Sequence, residues 1–263
     1  MTFTVELLVL ITAYLTVASS AILLPIGQST IVPKELDPET LSEHAFEGDI
    51  VLTQQQRTEA VTRKATPYSV LLWPSDPSGV ISVPYTFGDS IINRTGVQKA
   101  IAHWQDKTCV TFKAADPNYT GARLIFLNSN QCASYIGRVS DHGQQIWLHP
   151  NCVSNIGSTV HEIGHALGFF HEQSRSDRDE FVEIKTENIS PETISNFGKY
   201  QTKNYEVPYD YHSVMHYGSH FFSMNGKATI VAKQVLAQPL LGNRLWLSFM
   251  DIKLANKMYG CSD

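Results

Sequence analysis

The sequence has no excess of positive charge. Its 263 residues include 20 Lys and Arg against 25 Asp and Glu, which gives a formal net charge of -5 and a pI near 6.0. A protein that binds a polyanion usually carries a basic patch, so these values argue against a nucleic-acid or acidic-membrane partner. Blocks of like charge are also absent, and 43% of the residues are hydrophobic, which is typical of folded domains rather than disordered chains.

No hydrophobic run is long enough to cross a bilayer. The run LLVLITAYLTV, from Leu7 to Val17, has eleven residues, whereas a membrane helix needs about 20. Small residues from Ala18 to Ala21 follow it, so we interpret residues 1–20 as a secretory signal peptide, although no Lys or Arg precedes the run. The alternative is a buried strand or helix. We therefore expect a secreted, extracellular protein with no membrane partner.

Cysteines are few, and no two of them have the C-x-x-C spacing of a zinc knuckle. The four are Cys109, Cys132, Cys152 and Cys261. In a secreted chain an even number favours two disulfides, for which three pairings are possible. Three sequons suggest that the protein is a glycoprotein, with candidate sites at Asn93, Asn118 and Asn188.

The chain divides into a polar N-terminal segment and one domain without internal repeats. Residues 21–64 are poor in aromatics and end in Arg63-Lys64, which indicates a pro-segment with a processing site, or else a flexible tail. Residues 65–263 have the size of one catalytic domain, which we expect to be a monomer. Hydrophobic patterns predict strands at 80–87, 110–112, 123–127 and 145–148. They also predict helices after Asp89 or Ser90, at 159–170 and at 248–259.

The segment HEIGHALGFFH, from His161 to His171, contains three histidines and an acid. Histidines four residues apart lie on one face of a helix, so His161 and His165 can bind one metal ion, and imidazole ligands favour zinc. In a continuous helix His171 would lie about 600° beyond His165 and point away. Gly168 can adopt a positive φ and end the helix, so that the chain turns back toward the metal.

Three neutral nitrogens leave a fourth position open, which is typical of a catalytic rather than a structural zinc ion. Glu162, next to the first ligand, can accept a proton from water whose pKa zinc lowers toward about 7. The bare H-E-x-x-H pattern is short enough to occur by chance, but the third histidine and the glycine make it far more specific. The sequence therefore predicts one catalytic zinc ion per chain.

With these residues the sequence resembles the astacin family of metzincin zinc endopeptidases. The run HEIGHALGFFHEQSRSDRD, which begins at His161, is similar to the family signature, and matches cover nearly all of the chain after Lys64. They include Leu72-Trp73-Pro74, Tyr209-Asp210-Tyr211, Ser213-Val214-Met215-His216-Tyr217-Gly218, Gly242-Asn243-Arg244 and Tyr259-Gly260-Cys261. The resemblance implies an α+β fold, in which an upper lobe has a small mixed sheet and two long helices, and an irregular lower lobe has a C-terminal helix. Since only two residues follow Cys261, we expect a minimal member with a pro-segment and a catalytic domain only.

The resemblance also implies a role for each matching residue. The zinc ligands would be His161, His165 and His171. Glu162 would be the general base and then the general acid toward the leaving amine. Met215 would form a methionine turn beneath the ligands, and Tyr217 would stabilise the tetrahedral oxyanion by donating a hydrogen bond. The alternative for Tyr217 is a buried tyrosine with a satisfied hydroxyl.

The pro-segment contains Phe46-Glu47-Gly48-Asp49, which resembles the family motif F-x-G-D. In that motif the aspartate occupies the open zinc position, so Asp49 would be the zinc ligand of the zymogen. An activating protease that cuts near Arg63-Lys64 would leave Ala65 as the mature N-terminus. By resemblance, the new ammonium group would be buried beside the carboxylate of Glu172.

The family pattern further pairs Cys132 with Cys152 and Cys109 with Cys261. Lys233 matches a position that is basic in several members and favours an acidic residue after the scissile bond of a protein or peptide substrate; otherwise it is a solvated surface lysine. One alternative function is a secreted binding protein with a structural zinc ion, against which the intact Glu162 argues. Another is an exopeptidase or other zinc hydrolase that shares only H-E-x-x-H, which the long resemblance disfavours.

Overall fold

The computed structural model describes residues 45–62, 72–88, 93–116 and 118–261. All of them belong to a unit that spans Ile31 to Asp263. The expected signal peptide, the processing site at Arg63-Lys64 and the expected mature N-terminus at Ala65 lie outside the described residues. In the ranges that are described, no helix combines the length and the apolar character that a membrane span requires.

Seven strands in the described part of the chain form a mixed sheet. They are β1 (Ala45–Phe46), β2 (Ile50–Val51), β3 (Ile81–Phe87), β4 (Val110–Ala114), β5 (Arg123–Asn128), β6 (Ala133–Tyr135) and β7 (Gly143–Leu148). Their order across the sheet is β1-β2-β6-β7-β5-β3-β4. The pairs β2–β6, β7–β5, β5–β3 and β3–β4 are parallel, and the pairs β1–β2 and β6–β7 are antiparallel.

The strands form where apolar residues alternate with more exposed ones. In β3 the buried residues are Ile81, Val83 and Tyr85, and in β5 they are Leu124 and Phe126. This period of two places one row of each strand in the core and leaves the other row more exposed.

Five α-helices are described. They are α1 (Gln54–Thr62), α2 (Arg94–Lys107), α3 (Pro150–Ser154), α4 (Ile156–Ala166) and α5 (Phe249–Tyr259). Helix α2 buries Val97, Ala100, Ile101 and Trp104, the stripe that its helical spacing predicts. The Trp104 indole donates to the backbone oxygen of Val160 at 3.0 Å, which fixes α2 against α4.

Two predicted helix boundaries were wrong. Helix α4 covers Ile156–Ala166 rather than 159–170, because Gly168 takes a φ of 104° and interrupts the helix. Helix α2 begins at Arg94, and its N-cap is Asn93 rather than Asp89 or Ser90. The Asn93 side chain accepts a hydrogen bond from Gly96 N at 3.0 Å.

The chain between α4 and α5 is irregular, as the fold prediction states. It contains short 3₁₀ turns and the two-stranded antiparallel sheet of β8 (Val182–Ile184) and β9 (Ile230–Ala232). A second apolar core supports this region. It includes Val182, Ile189, Phe197, Tyr209, Tyr217 and Ile230.

The described part of the expected pro-segment extends the main sheet. The β1–β2 hairpin adds β2 beside β6, with Ile50 opposite Ser134 and Val51 opposite Tyr135. Ile50 is fully buried, and with Leu52 and Ile136 it forms a small apolar cluster. This pairing holds the hairpin in place, and Asp49 lies in the turn between its two strands.

Both disulfides have the pairing that the resemblance implies. Cys109 joins Cys261 with 5.7 Å between the Cα atoms, and Cys132 joins Cys152 with 6.6 Å between them. The first connects the residue before β4 to the chain just after α5.

Candidate metal and active site

Helix α4 and the turn after it supply the three histidines. His161 and His165 lie four residues apart on α4 and are buried, and Gly168 then lets the chain bring the buried His171 to the same place. A Cβ atom on Gly164 would lie 2.8 Å from the sulfur of Met215. Met215 therefore packs directly against the helix that carries His161 and His165.

Four side chains converge on one point: Asp49, His161, His165 and His171, whose ligand atoms all lie within 4.8 Å of one another. Asp49 Oδ2 is 3.1 Å from His161 Nε2, and Asp49 Oδ1 is 3.1 Å from His171 Nε2 and 3.6 Å from His165 Nε2. His161 Nε2 and His165 Nε2 are 3.0 Å apart. Two zinc-bound nitrogens would be separated by about 3.3 Å, since Zn–N bonds of about 2.0 Å meet at a tetrahedral angle.

The orientation of each imidazole is fixed through its other nitrogen. His161 Nδ1 donates to Val214 O and His165 Nδ1 donates to Phe169 O, both at 2.8 Å, and His171 Nδ1 donates to Glu47 Oε2 at 2.7 Å. Each Nε2 atom is thereby left with its lone pair directed at the cluster. His171 Nε2 and Asp49 Oδ1 are buried and have no hydrogen-bond partner in the described ranges. The donor set therefore fits a zinc ion.

The electrostatics of the cluster differ between His161 and His165 on one side and His171 on the other. Burial lowers the pKa of His161 well below its usual value and also lowers the pKa of His165, so both are neutral and able to bind a metal. Burial alone would lower the pKa of His171, but Asp49 and Glu47 outweigh it and raise that pKa to about 9. Burial would raise the pKa of Asp49, but the charge of His171 and hydrogen bonds from the three histidines outweigh it and hold that pKa well below its ordinary value. A zinc ion bound at this point would take the place of the proton on His171 Nε2.

Glu162 and Tyr217 lie close to the cluster. Glu162 is 2% exposed, and its Oε2 atom is buried without a partner among the described residues. Burial, followed by the charge of Asp49, raises the pKa of Glu162 well above its ordinary value. The Tyr217 ring centroid is 4.6 Å from that of His171, and its hydroxyl donates to the backbone oxygen of Glu47.

Two residues that the sequence places at the site have other partners in this structure. Glu172 Oε1 accepts hydrogen bonds from Asp210 N at 2.8 Å and from Arg175 at 3.1 Å, and burial raises its pKa to about 8. Lys233 is exposed, and its ammonium group donates to the backbone oxygen of Asp179. The structure therefore does not bring Lys233 into the histidine cluster.

The three sequon asparagines differ in exposure. Asn93 and Asn118 are exposed, whereas Asn188 is only 9% exposed. Asn188 Nδ2, the atom to which a glycan would be attached, donates to Ala228 O at 2.8 Å. Glycosylation at Asn93 and Asn118 stays a prediction, and the surroundings of Asn188 argue against modification of the folded chain.

Three further residues at the cluster were not predicted as site residues: Glu47, Ser174 and Arg244. Glu47 stands at the variable position of F-x-G-D, and its contacts are with residues more than 120 positions away. Arg244 is half-buried beside the cluster, and its Nη1 atom donates to Val214 O at 2.7 Å and to His216 O at 3.0 Å. Its place in Gly242-Asn243-Arg244 was the only signal available from the sequence.

Comparisons with known proteins point in the same direction. The sequence model of the astacin peptidase family matches residues 71–260. The chain is 36% identical over 237 residues to Blastula protease 10 of Paracentrotus lividus, with 83% of this chain and 39% of that protein covered. It is 39% identical over 219 residues to Embryonic protein UVS.2 of Xenopus laevis, with 82% of this chain and 40% of that protein covered.

A solved structure is also similar. High choriolytic enzyme 1, described as a hatching enzyme zinc-protease from Oryzias latipes, superposes with a TM-score of 0.69 at 32% identity, covering 76% of this chain and 98% of that one. By contrast, the chain spans only about two fifths of the length of the curated relatives named above.

Proposed function

Because the chain belongs to the astacin family of peptidases, we propose that it is a secreted zinc endopeptidase made as an inactive precursor. The observation that carries the proposal is the convergence of three oriented imidazoles with the carboxylate of Asp49. Residues 1–20 would be the signal peptide, 21–64 the pro-segment and 65–263 the catalytic domain. The zinc ligands of the domain would be His161, His165 and His171.

Zinc held by these histidines would supply Lewis acidity, which would polarise a peptide carbonyl and lower the pKa of a water molecule. Glu162 takes a proton from the attacking water and then delivers it to the nitrogen of the leaving amine. Its buried Oε2 atom has no hydrogen-bond partner within the described ranges and is available for this transfer. Tyr217 donates its hydroxyl hydrogen bond to the oxyanion once the backbone oxygen of Glu47 has left.

In the precursor, Asp49 takes the position that substrate and water require. Its carboxylate lies against the Nε2 atoms of all three histidines, and the hairpin that carries it is held by strand pairing to β6. An activating protease that cuts near Arg63-Lys64 would release the segment. The processed enzyme would then act as a monomer on protein or peptide substrates.

Replacement of Glu162 by Ala tests the chemistry. In the trypsin-processed chain we expect proteolysis of a denatured protein to fall by about 10²–10⁴-fold, because the proton-transfer group is lost. Zinc content, measured by atomic absorption, should remain one per chain, whereas chelation of zinc should abolish activity in the unsubstituted chain. Glu162→Ala with undiminished activity would contradict the proposal.

Lys233 would select an acidic residue after the scissile bond. Its ammonium group is exposed and donates to the backbone oxygen of Asp179, so it can turn toward a substrate carboxylate. We expect Lys233→Ala to reduce the share of cleavages before Asp and Glu, as read by mass spectrometry of peptides from a proteome digest. Lys227→Ala is the matched control on an exposed lysine nearby in sequence. An unchanged cleavage profile in Lys233→Ala would exclude this role.

A further inference from the structure

The three zinc histidines do not depend equally on the catalytic domain. The Nδ1 atoms of His161 and His165 donate to backbone oxygens of the domain, at Val214 and Phe169. His171 Nδ1 instead donates to a carboxylate oxygen of Glu47, in the pro-segment. His171 is therefore the one ligand of the three whose orienting partner leaves with the pro-segment.

Glu47 is more deeply engaged than this single contact indicates. The residue is 2% exposed, and its side chain is fully buried. While Oε2 accepts from His171, Oε1 accepts a hydrogen bond from the hydroxyl of Ser174, and the backbone oxygen of Glu47 accepts one from Tyr217. His171, Ser174 and Tyr217 are themselves at most 1% exposed. Three buried donors of the domain thus converge on one glutamate residue.

The backbone at this point is one that glutamate does not favour. Glu47 has a φ of 51° and Gly48 a φ of 83°. A glycine tolerates such a value without cost, and at position 48 it also avoids Phe222, whose Cζ atom would lie 2.8 Å from a Cβ atom. The left-handed conformation is unfavourable for glutamate because of its Cβ atom. Asn and Asp offset this cost with local side-chain hydrogen bonds, which glutamate does not form. The contacts of the side chain must therefore offset the strain.

We propose that His171 Nδ1, Ser174 Oγ and Tyr217 Oη form a binding site for a glutamate residue, distinct from the zinc position, that Glu47 fills in the precursor. The imidazole and the serine hydroxyl bind the carboxylate, and the phenol binds the backbone oxygen. Glu47 is then a second latch beside Asp49, because it accepts hydrogen bonds from both Tyr217 and His171, the third zinc ligand. The ligand class is a peptide with glutamate in a left-handed turn. The role of this site in latency rests on the proposed function, whereas the existence of the site does not.

Hydrogen exchange of the intact, zinc-loaded chain tests the site without any reliance on activity. In a Glu162→Ala background that prevents self-cleavage, Glu47→Ala should speed exchange of the Ile50 and Val51 amides at least about tenfold, because bonds to a buried carboxylate are lost. Glu47→Gln, which keeps one acceptor, should have a smaller effect. Gln54→Ala, at an exposed side chain of the same segment, should leave exchange unchanged.

A double-mutant cycle with Ser174 identifies the partner. Ser174→Ala should speed exchange when Glu47 is present and have no further effect when Glu47 is alanine. Unchanged exchange in Glu47→Ala, or effects of the two substitutions that simply add, would overturn the proposal.

Latency is then read separately, with Glu162 intact. The uncut Glu47→Ala chain should cleave a denatured protein at least about tenfold faster than the uncut unsubstituted chain, in proportion to the faster opening of the hairpin. An uncut Glu47→Ala chain as silent as the unsubstituted one would overturn the role as a latch. If the processed chain were itself inactive, the proposed function would fail, and the exchange cycle would still decide whether Glu47 and Ser174 interact.

Discussion

Hydrogen bonds fix the orientation of single side chains near the zinc cluster. His216, which is not one of the expected metal ligands, is an example. It is fully buried, its Nδ1 atom donates to Tyr217 O at 2.8 Å, and its Nε2 atom accepts from the Tyr209 hydroxyl at 2.7 Å. The contact with Tyr209 requires the neutral ring, because a protonated Nε2 atom cannot accept a hydrogen bond. Burial lowers its pKa to about 4.

The lowered pKa of His216 predicts a loss of stability in acid. The unfolded chain, in which the pKa of histidine is about 6.5, binds more protons than the folded chain between that value and about 4. The contribution of His216 is therefore complete above pH 6.5 or so and is lost as the pH falls, by about 2.5 kcal/mol at pH 4.5. His216→Gln, which stays neutral, should lose less stability between pH 7 and pH 4.5 in urea unfolding with zinc chelated. Equal losses in the two chains would contradict the prediction.

The residues of the metal site were predictable to the extent that their signal is local. The spacing of His161, His165 and His171 and the intervening Gly168 defines a helix, a turn and a ligand set within eleven residues, and the structure brings the histidines together. The role of Glu47 could not be predicted, because it depends on contacts with residues 124 and 127 positions away. In F-x-G-D that position carries no pattern.

Helix α5 is connected to the turn that contains Met215. Asp251 Oδ2 accepts hydrogen bonds from Ser248 N and from Val214 N, both at 2.9 Å, and Oδ1 accepts one from Ser213 Oγ at 2.6 Å. Ser248 in turn accepts from Asp251 N, which completes a capping box. One carboxylate thus caps the helix and holds the backbone of Val214, whose oxygen orients His161.

Asp251→Asn should therefore weaken both elements. The amide keeps one acceptor and presents a donor to groups that are themselves donors, so we expect a loss of about 1–3 kcal/mol in unfolding free energy. Lys257→Ala, on an exposed position of the same helix, is the control and should change stability little. Thermal unfolding followed by circular dichroism measures both. A variant as stable as the control would show that the three hydrogen bonds contribute nothing.

The elements with clear periodicity were predicted, and those without it were not. Strands β3, β4, β5 and β7 and helices α2, α4 and α5 all lie within a few residues of their predicted ranges. The two-residue strands β1 and β2 are too short to show alternation, and they exist because β2 pairs with β6. The 3₁₀ turns between α4 and α5 also lack a period, and the core that they enclose comes from distant segments.

At the scale of the whole molecule, two disulfides close loops of very different length. Cys109 and Cys261 are 152 positions apart, and Cys132 and Cys152 are 20 apart. If a disulfide stabilises by restricting the unfolded chain, these loops correspond to about 5 and about 3 kcal/mol. The pairing itself could not be derived from the sequence alone, which permits three arrangements.

Removal of each pair by serine substitution tests this difference. The Cys109→Ser/Cys261→Ser chain should be about 2 kcal/mol less stable than the Cys132→Ser/Cys152→Ser chain, because the longer loop gains more entropy in the unfolded state. Denaturant unfolding of the two chains under identical conditions provides the comparison. Equal stability, or the reverse order, would mean that strain or residual structure outweighs loop entropy.

We propose a zinc peptidase that its own N-terminal segment blocks, and one time course tests this proposal most directly. The secreted chain is treated with trypsin, and the loss of the pro-segment on a gel is followed together with cleavage of a denatured protein after trypsin inhibition. We predict that activity is absent at first, rises in proportion to processing and never appears in Glu162→Ala. Full activity before processing would contradict the latent state, and no activity from a folded, zinc-loaded, processed chain would contradict the peptidase.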